Sequence, residues 1–201
     1  QEILKGMELN GVPGLSIAVV KDGEIVYSNG FGKRKIDENA VVTSNSLFGI
    51  SSVTKNFTAA ALAILVDEGK ITWDTKIIDV LPNFRLQDPW VSQSATIRDA
   101  LSHQVGVSRV LGSRLRYMSN SSRNQLVNQL SYFDFDAPFR SGYVYSNVMY
   151  LVAGQIIESI TGKSWEDYIQ EKLFDPLQLQ ANTSITQIKN QHDAAWPHQE
   201  I

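Results

Sequence analysis

Two short patterns place reactive side chains at spacings that chemistry could use. Ser52-Val53-Thr54-Lys55 stands at the head of an apolar stretch, and Tyr145-Ser146-Asn147 stands just before another. On a helix, residues i and i+3 share a face, so the Ser52 hydroxyl would sit beside the Lys55 amine. A hydroxyl is a weak nucleophile until a neighbour removes its proton, and a lysine partly buried beside apolar side chains is a better proton acceptor than a solvated one. The positive end of a helix dipole would favour the alkoxide forming at Ser52. In an extended segment residues two apart project the same way, so Tyr145 and Asn147 could enter one cleft together. They would bring a phenol for proton transfer and an amide to hold a substrate carbonyl or the Lys55 amine. Each pattern also has a plain structural reading. Ser52 could be a helix N-cap followed by a solvated Lys55, and Tyr145 could pack at a helix start that Asn147 caps.

The elements that must position these groups can be read from periodicity and punctuation. Glu2 to Leu9 reads as a short helix stopped by Asn10-Gly11, and Pro13-Gly14 opens a β-rich stretch. Leu15 to Val20, the turn pair Asp22-Gly23 and Glu24 to Ser28 predict an antiparallel hairpin, with Gly30 and Gly32 ending its second strand. Ile36 to Asn45 is polar enough for a loop. From Val53 to Glu68 the spacing of Phe57, Ala60, Ala61, Ile64 and Leu65 predicts a largely buried helix, with Gly69 as its C′ residue. Helices dominate afterwards. Capping boxes are expected at Thr96-x-x-Asp99 and Ser164-x-x-Asp167, a helix start at Ser121 or Ser122, and a helix over Val148 to Ile160 ended by Gly162. The sum is an α+β chain with two N-terminal strands and a helix-rich body. A two-stranded sheet is marginal alone, so further strands are expected beyond these 201 residues.

Composition excludes several function classes. Lys plus Arg count 18 against 21 for Asp plus Glu, a net charge of −3, so no basic field is present for a nucleic acid. The chain has no cysteine, hence no disulfide framework, thiolate metal site or cysteine nucleophile. The longest apolar run, Ala59 to Val66, is far short of the roughly 20 residues of a membrane-spanning helix. His103, His192 and His198 form no His-Glu-x-x-His, and neither a nucleophile elbow nor a phosphate loop occurs, so no metal or cofactor is expected. His103 reads as a hydrogen-bonded structural residue. Glu166-Asp167 and Glu171-Lys172 read as solvated helix charge, and the four tryptophans as packing residues. Tyr27-Ser28-Asn29 and Lys21-Asp22-Gly23 repeat catalytic-looking letters inside the hairpin and are set aside as decoys.

Several motifs taken in order carry a resemblance. Leu47-Phe48-Gly49-Ile50-Ser51 followed by Ser52-x-x-Lys55, then Thr96 to Val107 (TIRDALSHQVGV), then Tyr145-Ser146-Asn147, resemble the serine β-lactamase and penicillin-binding-protein superfamily. The class C β-lactamase branch, with its esterase and D-aminopeptidase relatives, is the most similar. The likeness runs from the Pro13-Gly14 hairpin through Leu173-Phe174-Asp175-Pro176-Leu177 to Pro197-His198. It implies a β-lactamase/transpeptidase-like fold, of which residues 1–201 form a single partial domain: 1–70 the sheet hairpin and nucleophile helix, 71–201 mainly helical.

The resemblance also implies acyl transfer through a covalent intermediate. Ser52 would attack a carbonyl, Lys55 and Tyr145 would share acid and base work, Asn147 would orient Lys55 and substrate, and the Ser52 N–H would give one oxyanion donor. The family's third motif, Lys- or His-x-Gly, does not follow Asn147. The remainder of the same protein is therefore expected to complete the site. The expected activity is a serine hydrolase acting on a β-lactam, a D-amino-acid peptide or a small ester. The alternative, motivated by the missing third motif, is a catalytically inactive binding or self-assembling scaffold. A periplasmic or secreted bacterial setting is implied by the resemblance alone.

Overall fold

The computed structural model describes residues 1–108, 121–184 and 193–198. His192, one of the histidines weighed above, lies outside the described residues. The chain forms two compact units, Gln1–Ser51 with Ala181–Ile201, and Ser52–Gln180.

In the first unit, α1 (Glu2–Leu9) stops where Asn10 turns its side-chain amide back to the Gly6 carbonyl at 2.8 Å. Strands β1 (Gly14–Lys21) and β2 (Glu24–Gly32) pair antiparallel, with Gly14 opposite Gly32, Val19 opposite Tyr27 and a register shift between Val19 and Val20. Asp22 and Gly23 both have positive φ, 52° and 82°, the backbone of a tight hairpin turn whose twist suits the strands. This two-stranded sheet is the only sheet among the described residues, and its turn end leaves Val20, Ile25 and Val26 exposed. The polar stretch after β2 is more ordered than a plain loop. Leu47 donates its N–H to Asp193 and accepts from Ala195, making a parallel bridge, while Arg34 pairs with Asp193 at 3.2 Å.

The second unit is helical. It opens with a 3-10 turn, Ser51–Val53, that runs into α2 (Thr54–Asp67), followed by α3 (Ile77–Val80), α4 (Pro89–Ser94) and α5 (Ile97–Leu101). After these come α6 (Arg123–Val127), a 3-10 turn at Leu130–Tyr132, α7 (Asn147–Thr161) and α8 (Trp165–Ile169), the last continued by a π turn at Gln170–Phe174. Helix α7 is the hub, packing against α2, α5, α6 and α8. That explains why it buries Val148, Met149, Val152, Ala153, Gly154, Ile156 and Ile157, a wider face than one neighbour could cover. Leu62, Leu65, Ile77, Phe84, Ile97 and Leu130 complete a core in which each fully buried aliphatic side chain contributes about 1.5–3 kcal/mol.

Three local expectations need correction. The buried stripe of α2 runs through Thr58, Ala61, Leu62 and Leu65, while Phe57, Ala60 and Ile64 are only half-buried, because the helix meets α7 and α8 on a face rotated from the one the apolar spacing suggested. The capping box at Thr96 and Asp99 forms in both directions, and another forms at Ser122 and Gln125. At Ser164 only half forms: the hydroxyl accepts from the Asp167 N–H, but the Asp167 carboxylate accepts from that hydroxyl and not from the backbone. Glu166 is not merely solvated charge either. It accepts from Arg123 at 3.0 Å, and Arg123 also binds Glu158 and lies over the Trp165 ring, tying α6, α7 and α8 together.

Candidate active site

Ser52 lies in the 3-10 turn that leads into α2, and Lys55 is the second residue of that helix, which begins at Thr54 with Val53 as its N-cap. The Lys55 Nζ to Ser52 Oγ distance is 3.1 Å. Ser51, the residue before Ser52 in the chain, holds φ at 47°, a left-handed conformation unusual for serine that fixes the sharp entry into the turn. Ser52 is exposed and Lys55 half-buried, so the hydroxyl faces solvent while the amine is packed beneath it.

Tyr145 and Asn147 come to the same place from the other end of the unit. Tyr145 lies in the segment leading to α7, and Asn147 is the first residue of that helix. The Tyr145 Oη lies 2.6 Å from Ser52 Oγ and 2.6 Å from Lys55 Nζ, and Asn147 Oδ1 accepts from Lys55 at 2.7 Å. All four residues singled out from the sequence are thus joined by short hydrogen bonds, across 90 or more residues of chain. The capping role considered for Asn147 is not seen, because Ser146 is the N-cap of α7 and no side chain caps it. Lys55 points three donors at Ser52, Tyr145 and Asn147, and its Nζ also lies 5.4 Å from the centre of the Tyr150 ring.

A shell of residues that sequence reasoning did not mark as functional surrounds this cluster. His103 is buried, with its ring 4.6 Å from that of Tyr145 and 5.3 Å from that of Tyr150, centre to centre. Burial, and then the charge of Lys55, hold its imidazole below the usual histidine range, so it is neutral at pH 7. Tyr150 donates to the Leu101 carbonyl at 3.0 Å, and burial raises its phenol above the ordinary value, helped by Tyr143 and Tyr145. Asp99 is a buried carboxylate. It accepts from the Thr96 N–H at 2.9 Å, the Thr96 hydroxyl at 2.7 Å and both arms of the Arg140 fork at 2.8 and 2.7 Å. Burial alone would raise its pKa, but the bonds from Arg140 and Thr96 outweigh this and hold it below the usual carboxylate range.

Around these residues, chain 103–108 and chain 134–146 are stitched side by side. Asp136 donates to Gly106, Arg140 to Gln104, Val144 to the His103 carbonyl, and Ser108 to Asp134, with an isolated antiparallel bridge between Val107 and Phe135. Gly106 has φ 87°, and a Cβ there would fall 2.3 Å from the Ala137 carbonyl oxygen, so this close approach requires glycine. The sequence decoys belong to the other unit: Tyr27 to Asn29 lie on β2 and Lys21 to Gly23 at the hairpin turn. Among the described residues no group of His, Asp and Glu is arranged to hold a metal ion, and no helix is long and apolar enough to cross a membrane.

A hydroxyl held against a tyrosine and a lysine is the arrangement the resemblance implied. The Beta-lactamase family model matches residues 1–200. This chain belongs to the beta-lactamase family. It is 38% identical over 174 residues to an unguisins hydrolase of Aspergillus campestris, covering 83% of this chain and 32% of that protein. Among solved structures it is similar to the octameric penicillin-binding protein homologue of Pyrococcus abyssi (TM-score 0.82, 26% identity, 96% of this chain and 46% of that one). It is also similar to the D-amino acid amidase of Ochrobactrum anthropi SV3 (TM-score 0.76, 29% identity, 90% of this chain and 50% of that one). The chain therefore spans at most half the length of these relatives and corresponds to the N-terminal part of a β-lactamase/transpeptidase fold. The relatives named here include a hydrolase and an amidase.

Proposed function

We propose that Ser52 is the nucleophile of an acyl hydrolase whose substrate is a β-lactam, a D-amino-acid peptide or a small ester. The observation that carries this reading is the closed triangle of Ser52 Oγ, Lys55 Nζ and Tyr145 Oη, with sides of 3.1, 2.6 and 2.6 Å. A serine used only as a helix cap would not have its hydroxyl shared between a phenol and an amine.

In the first step Ser52 Oγ bonds to the substrate carbonyl carbon and the carbonyl electron pair moves to oxygen. The hydroxyl proton passes to the pair formed by Lys55 and Tyr145, which share one hydrogen bond. The Ser52 N–H, near the head of α2, offers one donor to the oxyanion. Collapse breaks the bond to the leaving nitrogen or oxygen, which receives the proton from the same pair. Water then attacks the Ser52 ester, the pair takes a proton from it and returns one to Ser52 Oγ, and the acid departs. Asn147, bonded to Lys55, keeps the amine aimed at Ser52. In the whole protein, the segment corresponding to the rest of the relatives' length supplies the second oxyanion donor and the facing wall of the cleft.

The test is turnover by the full-length protein of three probes: a chromogenic cephalosporin, a D-amino-acid anilide and a short-chain nitrophenyl ester. Hydrolysis of at least one, lost in Ser52→Ala, is the expected result. A folded full-length protein that turns over none of them, or turns one over equally well as Ser52→Ala, overturns the reading and favours the scaffold.

A further inference from the structure

His103 makes a contact that the chemistry above does not use. Its Nδ1 accepts the N–H of Ser146 at 3.0 Å, the amide linking Tyr145 to the rest of the motif, while its own carbonyl accepts from Val144. Its ring lies against Tyr145 at 4.6 Å, tilted by 39°. His103 thus grips the backbone on both sides of Tyr145 and backs its ring. Ser146 is itself fully buried, so its amide has no water to turn to if the imidazole is lost. The grip is set by a strained residue: His103 has φ 59°, a left-handed conformation for a side chain that is not glycine, which turns the imidazole back toward the motif.

We propose that His103 is a positioning residue, whose unprotonated Nδ1 fixes the Tyr145 to Asn147 segment so that the phenol and amide meet Ser52 and Lys55. This rests on the reading of Ser52 as nucleophile. Only the neutral tautomer with its proton on Nε2 can accept from Ser146, because an imidazolium has a donor at both nitrogens. Protonation therefore replaces a hydrogen bond with two donors facing each other, and the segment is released. The groups that face His103 are Lys55 on α2, Tyr143 and Tyr145 in the incoming segment, and Tyr150 on α7. None is a carboxylate. Lys55 opposes a second positive charge, and burial does the same, so release requires pH below the usual histidine value near 6.5.

Two replacements in the full-length protein separate positioning from mere packing. In His103→Asn the side-chain Oδ1 takes the place of Nδ1 as acceptor, and asparagine tolerates positive φ. In His103→Leu bulk is kept and the acceptor is lost. The expected result is kcat within about threefold of wild type for His103→Asn and lowered roughly tenfold or more for His103→Leu, with KM little changed, since small displacements of catalytic groups are costly. The acid limb of the kcat profile should change in His103→Asn, which loses the contribution of His103 and keeps that of the proton-accepting pair at Ser52. Equal losses in the two variants, or an acid limb identical in wild type and His103→Asn, would overturn the proposal. Should His103→Leu fail to fold, the His103→Asn profile decides alone. A measurement independent of turnover distinguishes failure here from failure of the hydrolase reading. By nitrogen-15 NMR the wild-type His103 Nδ1 should carry no proton at pH 7, and hydrogen exchange at the Ser146 amide should speed up as His103 titrates. A protonated Nδ1, or exchange at Ser146 indifferent to that titration, contradicts it.

Discussion

Replacing Asp99 by alanine removes the acceptor that ties α5 to the segment carrying Tyr145, and its cost can be worked out group by group. The carboxylate is buried and receives four bonds, two from Thr96 and two from Arg140. The Thr96 N–H is the orphan amide of a helix start, and losing its reciprocal cap costs about 1 kcal/mol. The Thr96 hydroxyl and amide are then buried without that partner, a penalty of about 1–2 kcal/mol. Arg140 has a side chain 49% exposed, so it returns to water and its ion pair adds only about 1 kcal/mol. The expected destabilisation is therefore about 3 kcal/mol, at the low end of the roughly 3–5 kcal/mol that breaking a fully buried ion pair costs. Urea unfolding of the full-length protein, read as the midpoint at unchanged slope, measures it. Asp99→Asn should lose about half as much, because the amide oxygen still accepts while its NH2 group faces the former donors. The pH dependence has a definite sign. Asp99 has its pKa lowered by folding, so it contributes stability that is present above the unfolded value near 3.8 and lost as pH falls through the lower folded value. Asp99→Ala should flatten the stability curve in that acid range. A loss under about 0.5 kcal/mol would refute the reasoning, since it would mean the stranded Thr96 groups cost nothing.

Other consequences can be checked in the same preparations. Tyr145→Phe removes the hydroxyl lying 2.6 Å from both Ser52 and Lys55 and should lower kcat by about 10²–10⁴-fold with little change in the unfolding midpoint, whereas equal activity would remove Tyr145 from the proton pathway. Gly106→Ala and Gly162→Ala both force alanine to positive φ, 87° and 68°, but only at Gly106 does the new Cβ meet a backbone oxygen. Gly162→Ala should therefore cost about 1 kcal/mol and Gly106→Ala clearly more, with activity loss confined to the latter; equal costs would contradict the close approach. Ile156→Ala empties a site on α7 with no solvent exposure and should cost about 2–5 kcal/mol in urea unfolding.

Much of the fold could be read locally because its signals are local. The hairpin follows from Asp22-Gly23 between β-branched runs, and α7 from its apolar period and from Gly162, which sits at φ 68° as the C-cap. Both partners of each candidate pair, Ser52 with Lys55 and Tyr145 with Asn147, lie within three residues, so spacing alone brought them to attention. What spacing could not show is that the two pairs meet, since that depends on α2 packing against α7 across the core. His103 reads from the sequence as a hydrogen-bonded structural residue, but its partner Ser146 is 43 residues away, so spacing could not name that partner. Arg140, at φ 57° and joined to Asp99, gave no sequence signal, although the capping box that contains its partner Asp99 did. The 3-10 turn at Ser52 has no side-chain pattern to mark it, and the positive φ at its first residue, Ser51, is a property of the backbone.

The most direct test of the central claim is intact-mass spectrometry of the full-length protein after a fluorophosphonate probe, with peptide mapping of the adduct and Ser52→Ala alongside. The phosphonyl group should bond to Ser52 Oγ with loss of fluoride, at one site per chain, and Ser52→Ala should stay unlabelled. Labelling at another serine, or no labelling of a folded full-length protein, would contradict the assignment of Ser52 as an activated nucleophile.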